Sequence, residues 1–123
     1  MKLLIVEDDA AVLDALREVL EDEGHEVAVA ANGREALNRL RSGNRPNLIL
    51  LDLMMPVMSG WEFREAQLQD ETLAAIPTVL LTADGRAAQK AADLQSAGFL
   101  QKPIKPDRLL EKLEELSHWE LPA

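Results

Sequence analysis

Residues 48–60 read LILLDLMMPVMSG. Four apolar residues, Leu48 to Leu51, run straight into Asp52, and Leu53, Met54 and Met55 follow it. A short unbroken apolar run of this kind has the pattern of a strand buried on both faces. A carboxylate at the end of such a strand is costly unless something pairs with it. Either partner groups converge on Asp52 or the run is not a strand, and the rest of the sequence decides between the two.

On either side of this run the chain alternates between two periods. Lys2–Val6 is a short apolar run, read as a strand. Residues 10–23 carry Leu13, Leu16 and Leu20 at helical spacing, with Gly24 as a stop. Residues 25–30 read as a strand with Val27 and Val29 on one face, and Gly33–Arg41 as a short helix with Ala36, Leu37 and Leu40 inward. Residues 60–70 form a helix of poor amphipathicity, and 78–81, after Pro77, a second buried strand. Residues 86–96 read as a helix whose inner face is mostly alanine, at 87, 88, 91 and 92. Gly98–Gln101 is a short strand. Residues 106–116 are a helix with Leu109, Leu113 and Leu116 inward and Pro106 in its first turn. Strand and helix alternate five times, without an internal repeat or a long linker. That pattern means an α/β domain, a parallel sheet covered on both faces.

Bulk composition narrows the function classes. At 123 residues the chain reads as one domain, 1–123, large enough for a real core. It has no cysteine, which removes disulfides, thiol catalysis and thiolate metal sites. No apolar run approaches the roughly 20 residues that span a membrane. Glu7 and Asp8 come too soon after Lys2 for the opening to read as a signal peptide, so a cytoplasmic location is expected. The net charge of −9 speaks against nucleic acid as a direct partner, because phosphate contacts need clustered Lys and Arg.

In a parallel α/β sheet, ligands bind beyond the carboxyl ends of the strands, near the point where strand order reverses. The first strand delivers Glu7-Asp8-Asp9 there, the third Asp52, the fourth Thr82 and the fifth Lys102. The second ends in Ala31-Asn32-Gly33, an ordinary turn. Each residue alone has a plain structural explanation. Asp8 and Asp9 precede a helix, where acids cap free N–H groups. Thr82 is a β-branched residue at a strand end, and Lys102 alone reads as a solvated lysine. Their joint placement at one edge is what those explanations leave out. His25 and His118 have no partners at useful spacing, and Trp61 and Trp119 read as packing or partner contacts.

Crowded carboxylates repel one another unless a cation joins them. Hard oxygen donors without His or Cys point to Mg²⁺, which completes its shell with water and phosphate. Lys102 can neutralise a phosphoryl oxygen and Thr82 can hydrogen-bond another. A carboxylate in that setting is a competent nucleophile towards phosphorus, with Asp52 as the acceptor.

With those residues in place, the sequence resembles the response-regulator receiver domain, the chemotaxis-regulator-like switch of two-component signalling. The stretches LLIVEDD, LILLDLMMPVMSG, TVLLTADG and GFLQKP carry the likeness, in that order, over essentially the whole chain. The resemblance implies a doubly wound, flavodoxin-like sheet of five parallel strands in the order 2-1-3-4-5, flanked by five helices. It implies that Asp52 takes a phosphoryl group from a histidine kinase or phosphotransfer protein. Asp8 would bind Mg²⁺ directly, Glu7 through water, and the Met54 carbonyl would add a ligand. Thr82 is similar to the family's switch threonine, Lys102 to its phosphate-binding lysine and Phe99 to its aromatic switch residue. The Lys102-Pro103 peptide matches one that is cis in the family. Such a domain is not an enzyme in the ordinary sense, although it promotes its own phosphorylation and dephosphorylation. Its downstream partner would dock on the face built from 86–96, Gly98–Gln101 and 106–116.

Two other classes compete with that reading. A pseudo-receiver that never takes phosphate would have lost Asp8, Asp52 or Lys102, and all three are present. A flavodoxin-like cofactor carrier would want a hydroxyl-rich loop after the first strand, where this chain has Glu7-Asp8-Asp9. Aspartate-nucleophile phosphatases usually show a second Asp two residues on, and here that residue is Met54. The stretch from Thr82 to Lys102 is slightly shorter than is usual in receivers, and the missing length falls around 86–96. At the rim, Met54 and Asp84 flank the expected approach of water to a phosphorylated Asp52. Met54 is expected to dominate and to make the phosphorylated state long-lived.

Overall fold

The computed structural model describes residues 1–43, 45–83, 86, 89 and 94–117. The chain runs β1 (Lys2–Val6), α1 (Ala10–Asp22), β2 (Glu26–Ala30), α2 (Gly33–Arg41), β3 (Leu48–Asp52), α3 (Gly60–Gln69), α4 (Glu71–Ala74), β4 (Thr78–Thr82), β5 (Gly98–Gln101) and α5 (Pro106–Ser117). All strand pairs are parallel and the sheet order is β2-β1-β3-β4-β5. The doubly wound arrangement and strand order expected from the sequence are therefore present, with five helices among the described residues. Much of the stretch 86–96, expected from the sequence to be a helix with an alanine face at 87, 88, 91 and 92, lies outside the described residues, as do Asp84, His118 and Trp119. Leu94 and Gln95 form a turn. Among the described residues no helix is long and apolar enough to cross a membrane.

The strands are apolar on both faces because each face carries a core. Leu4, Val6, Ile49, Leu51 and Leu80 pack under α2 and α3 with Leu37, Leu40 and Phe63. Leu3, Ile5, Leu50 and Leu81 pack on the other side with Leu16 and Leu20 of α1 and Leu109 and Leu113 of α5. A fully buried Leu or Ile stabilises by roughly 1.5–3 kcal/mol, so the alternating ownership of strand residues fixes the register. Strand ends follow from that register: Val6 lies beside Leu51, Asp52 beside Leu81, and Thr82 beside Gln101.

The start of α3 is set by local chemistry. Ser59 accepts from the Glu62 N–H at 3.2 Å, and Glu62 accepts from the Ser59 N–H at 3.2 Å, a reciprocal cap. Gly60 then lies against the end of β3, donating to the Leu53 carbonyl at 3.1 Å. A Cβ on Gly60 would stand 2.3 Å from the Asp52 carbonyl oxygen. In the same loop Val57 has φ 68°, a backbone conformation that β-branched residues avoid.

Candidate functional site

Glu7, Asp52, Thr82 and Lys102 come from the ends of four different strands and meet at the carboxyl edge of the sheet. Glu7 is 1% exposed and Asp52 3% exposed, in a chain where charged groups are otherwise mostly outside. What makes both tolerable is Lys102. Its Nζ donates to Glu7 Oε2 at 2.9 Å and to Asp52 Oδ1 at 3.2 Å. The lysine is aimed by its own backbone, whose N–H donates to the Thr82 carbonyl at 2.8 Å. The Lys102-Pro103 peptide is cis, in keeping with the resemblance. The partner of the Asp52 charge thus stands fifty residues further along the chain.

The acids after β1 divide their work. Glu7 Oε1 accepts from the Asp9 N–H at 3.2 Å. Asp9 caps α1, accepting from Ala11 and Val12 at 3.0 and 3.2 Å, so its structural explanation holds. Asp8 instead joins Glu7 and Asp52: one carboxylate oxygen of each lies within 4.8 Å of the others. Asp8 is exposed, whereas the other two are buried. Burial, and then the Asp52 charge, push the Glu7 carboxyl above its ordinary value, although the Lys102 hydrogen bond and the Asp9 N–H pull the other way. For Lys102, burial alone favours the neutral amine, but Glu7 and Asp52 together outweigh it and hold the ammonium above its ordinary value.

Thr82 is buried at 6% exposure and Phe99 is half-buried, packed against the core under α2 and α3. Met54 sits at the rim with its side chain 77% exposed and its N–H 3.4 Å from Asp52 Oδ1. Trp61 also packs, partly buried, on the α2–α3 side. The donor set of Glu7, Asp8 and Asp52 is all oxygen, anionic and partly open to solvent, which fits a Mg²⁺ ion that keeps part of its water shell.

A family model of the response regulator receiver domain matches residues 3–114. The chain belongs to that family. As a receiver domain it is a switch of two-component signalling rather than a classical enzyme. The receiver is similar to the DNA-binding response regulator MtrA of Mycolicibacterium paratuberculosis, at 35% identity over 114 residues, covering 91% of this chain and 49% of MtrA. Among solved structures, the Vibrio cholerae chemotaxis protein CheY4 is 33% identical with a TM-score of 0.85, covering 94% of this chain and 97% of that one. The receiver domain of a signal transduction histidine kinase from Syntrophus aciditrophicus is 31% identical with a TM-score of 0.83, covering 99% and 96%. The chain spans about half the length of the curated relatives it matches.

One polar cluster of this receiver is hidden from a reading of the sequence. Arg64 and Gln67, on the inward face of α3, are 3% and 0% exposed and meet the buried Thr78 of β4. The available signal is the weak amphipathicity of 60–70, which two buried polar residues produce.

Proposed function

We propose that this receiver accepts a phosphoryl group on Asp52 from a phosphohistidine donor and changes its outward face in response. The observation that carries this is the Asp52 carboxylate, buried at the end of the central strand, grouped with Glu7 and Asp8 and bonded to Lys102. An Asp52 oxygen attacks phosphorus in line, the new O–P bond forms as the P–N bond to the donor imidazole breaks, and the imidazole leaves with its electron pair. Lys102 turns from the carboxylates to a phosphoryl oxygen, so its charge stays paired throughout. The Thr82 hydroxyl donates to another phosphoryl oxygen, and Phe99 moves into the space vacated. Asp8, Asp52 and the Met54 carbonyl, with Glu7 through water, are the groups that would hold Mg²⁺, which when bound neutralises charge on the phosphoryl oxygens.

The readout then passes through the face that contains β5 and α5, where a downstream protein docks. A cytoplasmic location suits this role. Incubation with acetyl phosphate and Mg²⁺, followed by intact-mass measurement, should add one phosphoryl group to the wild type and none to Asp52→Asn. An adduct of wild-type yield in the variant would move the acceptor elsewhere. Asp8→Ala should stay folded yet lose Mg²⁺-dependent phosphorylation; normal uptake would leave Asp8 no metal role.

A further inference from the structure

Arg64 is a guanidinium buried to 3% exposure without a carboxylate partner among the described residues, and burial pulls its pKa below the ordinary value. A buried charge without a counter-ion is strongly destabilising unless dipoles replace it. Here backbone and side-chain oxygens do so. Nε donates to the Leu94 carbonyl at 2.9 Å and Nη2 to the Gln95 carbonyl at 2.7 Å. Nη1 donates to Gln67 Oε1 at 2.8 Å and to Thr78 Oγ1 at 3.2 Å. Gln67 is itself fixed, its amide donating to the Leu73 and Ile76 carbonyls at 3.0 and 3.2 Å. The planar fork of one arginine therefore ties three places together: α3, the first residue of β4, and the backbone that leads into β5.

That backbone matters for the site. The strand it leads into, β5, is four residues long and lies at the sheet edge, paired among the described residues only with β4. A short edge strand has few bonds to hold it lengthwise. At its entry the Ala97 N–H donates to the Thr78 carbonyl at 2.8 Å, and Thr78 is the residue Arg64 touches. Its exit is Lys102. Six residues, Ser96 to Gln101, separate the carbonyls that Arg64 holds from Lys102, so few are available to absorb a displacement before it reaches the lysine.

We propose that Arg64 is a positioning residue for the site: it fixes where β5 seats along β4, and so sets the reach of Lys102 to Asp52 and Glu7. This rests on the phosphoacceptor reading above for its functional consequence, but not for its structural one. A full-residue slip would be roughly 3.3 Å. A fraction of that is enough to break Lys102 contacts that now stand at 2.9 and 3.2 Å. Lysine cannot reproduce the arginine fork, since one ammonium cannot reach all four acceptors in this geometry.

The test uses the full chain with Arg64→Met, which keeps the unbranched stem and removes every donor, and Arg64→Lys, which keeps charge. In metal-free, isotope-labelled protein, Arg64→Met should shift the amide signals of Gly98 to Lys102 and the Lys102 Nζ signal, while Leu3 to Val6 stay in place. At a temperature where each variant is fully folded, phosphorylation by acetyl phosphate and Mg²⁺ should slow on the order of tenfold in Arg64→Met. Arg64→Lys should recover part of both effects. A folded Arg64→Met with wild-type β5 signals and a wild-type rate would overturn the proposal and leave Arg64 a stabilising contact only. If Arg64→Met does not fold, Arg64→Lys and Thr78→Val are measured by the same signals and the same rate: displaced β5 signals with slower uptake support the role, and wild-type values overturn it. A wild type that takes no phosphate would defeat the phosphoacceptor reading instead, and the β5 signals would still decide the role of Arg64.

Discussion

Lys102 holds two buried carboxylates that would otherwise repel each other, and the balance around it is uneven. The raised pKa of Glu7 means that, without metal, the fold holds its charged form less well than water does. The native state therefore binds that proton more tightly than the unfolded chain. The corresponding stability is fully present below the unfolded pKa and is lost as pH rises through the raised folded value. Glu7→Gln, uncharged throughout, should melt a few degrees above the wild type at neutral pH in chelator, and the gap should narrow at mildly acidic pH. A variant that melts lower at neutral pH would show that the Lys102 hydrogen bond outweighs burial and the Asp52 charge. At the rim, Met54 is flexible and apolar and cannot orient a water, so it is expected to shield a phosphorylated Asp52. Met54→Asn should shed phosphate several-fold faster once the donor is removed; an unchanged lifetime would end the idea of a shield. Glu7, Asp52, Thr82 and Lys102 are legible as a group because strand ends can be placed from apolar runs alone. The division between Asp8 and Asp9 is not legible from local pattern, and only the family resemblance singles out Asp8. Two adjacent acids before a helix look alike, and what separates them is the extended backbone of Asp9, at φ −79° and ψ 110°, which turns it back onto Ala11 and Val12.

Between β3 and α3 the chain combines one position of strain with one of close approach. Val57 holds a left-handed backbone on an exposed side chain, at a cost of roughly 1–3 kcal/mol. Val57→Gly should therefore stabilise by about 1 kcal/mol, after the extra chain entropy of glycine is subtracted. A destabilised Val57→Gly in denaturant titration would mean that the valine side chain contributes more than its backbone costs. Gly60 is the opposite case. Gly60→Ala would drive a methyl group into the Asp52 carbonyl, so α3 must move away from β3, with a loss of about 3 kcal/mol. Wild-type stability for this variant would mean that the α3 start yields easily. Elements of strong period, such as α2 and α5, are legible in the sequence to within a residue of their ends. The bounds of α3 also hold to within a residue, but its inward face does not read, because Arg64 and Gln67 occupy positions that an amphipathic pattern reserves for apolar side chains. The four-residue α4 leaves no sequence signature, since a single turn capped by Asp70 is too short to show a helical period.

Across the whole molecule, two cores on either side of one sheet leave the carboxyl edge as the place where four strands can be sensed at once. Beryllofluoride, a phosphoryl mimic, should with Mg²⁺ raise the melting temperature by mass action, about 2.7 kcal/mol at a hundredfold excess over Kd. If the proposed Thr82 contact is what favours the changed state, the same addition should shift the ring signals of Phe99. Unshifted Phe99 signals with the mimic bound would remove the switch from this part of the molecule. The strand order comes from the family resemblance, whereas the fold class is legible because strand and helix patterns alternate five times along the chain. The Arg64 cluster is not, since it joins residues from α3, β4 and the backbone before β5 that only the assembled sheet brings together. Assembly also bears on timing. Lys102 reaches back across 95 residues to Glu7 and across 50 to Asp52. During synthesis Asp52 leaves the ribosome well before the lysine that balances its charge. A half-made domain displays Asp52 without the cation it needs. On the function proposed above, competence to take phosphate is therefore a certificate of completion, issued only when the last strand has closed the sheet.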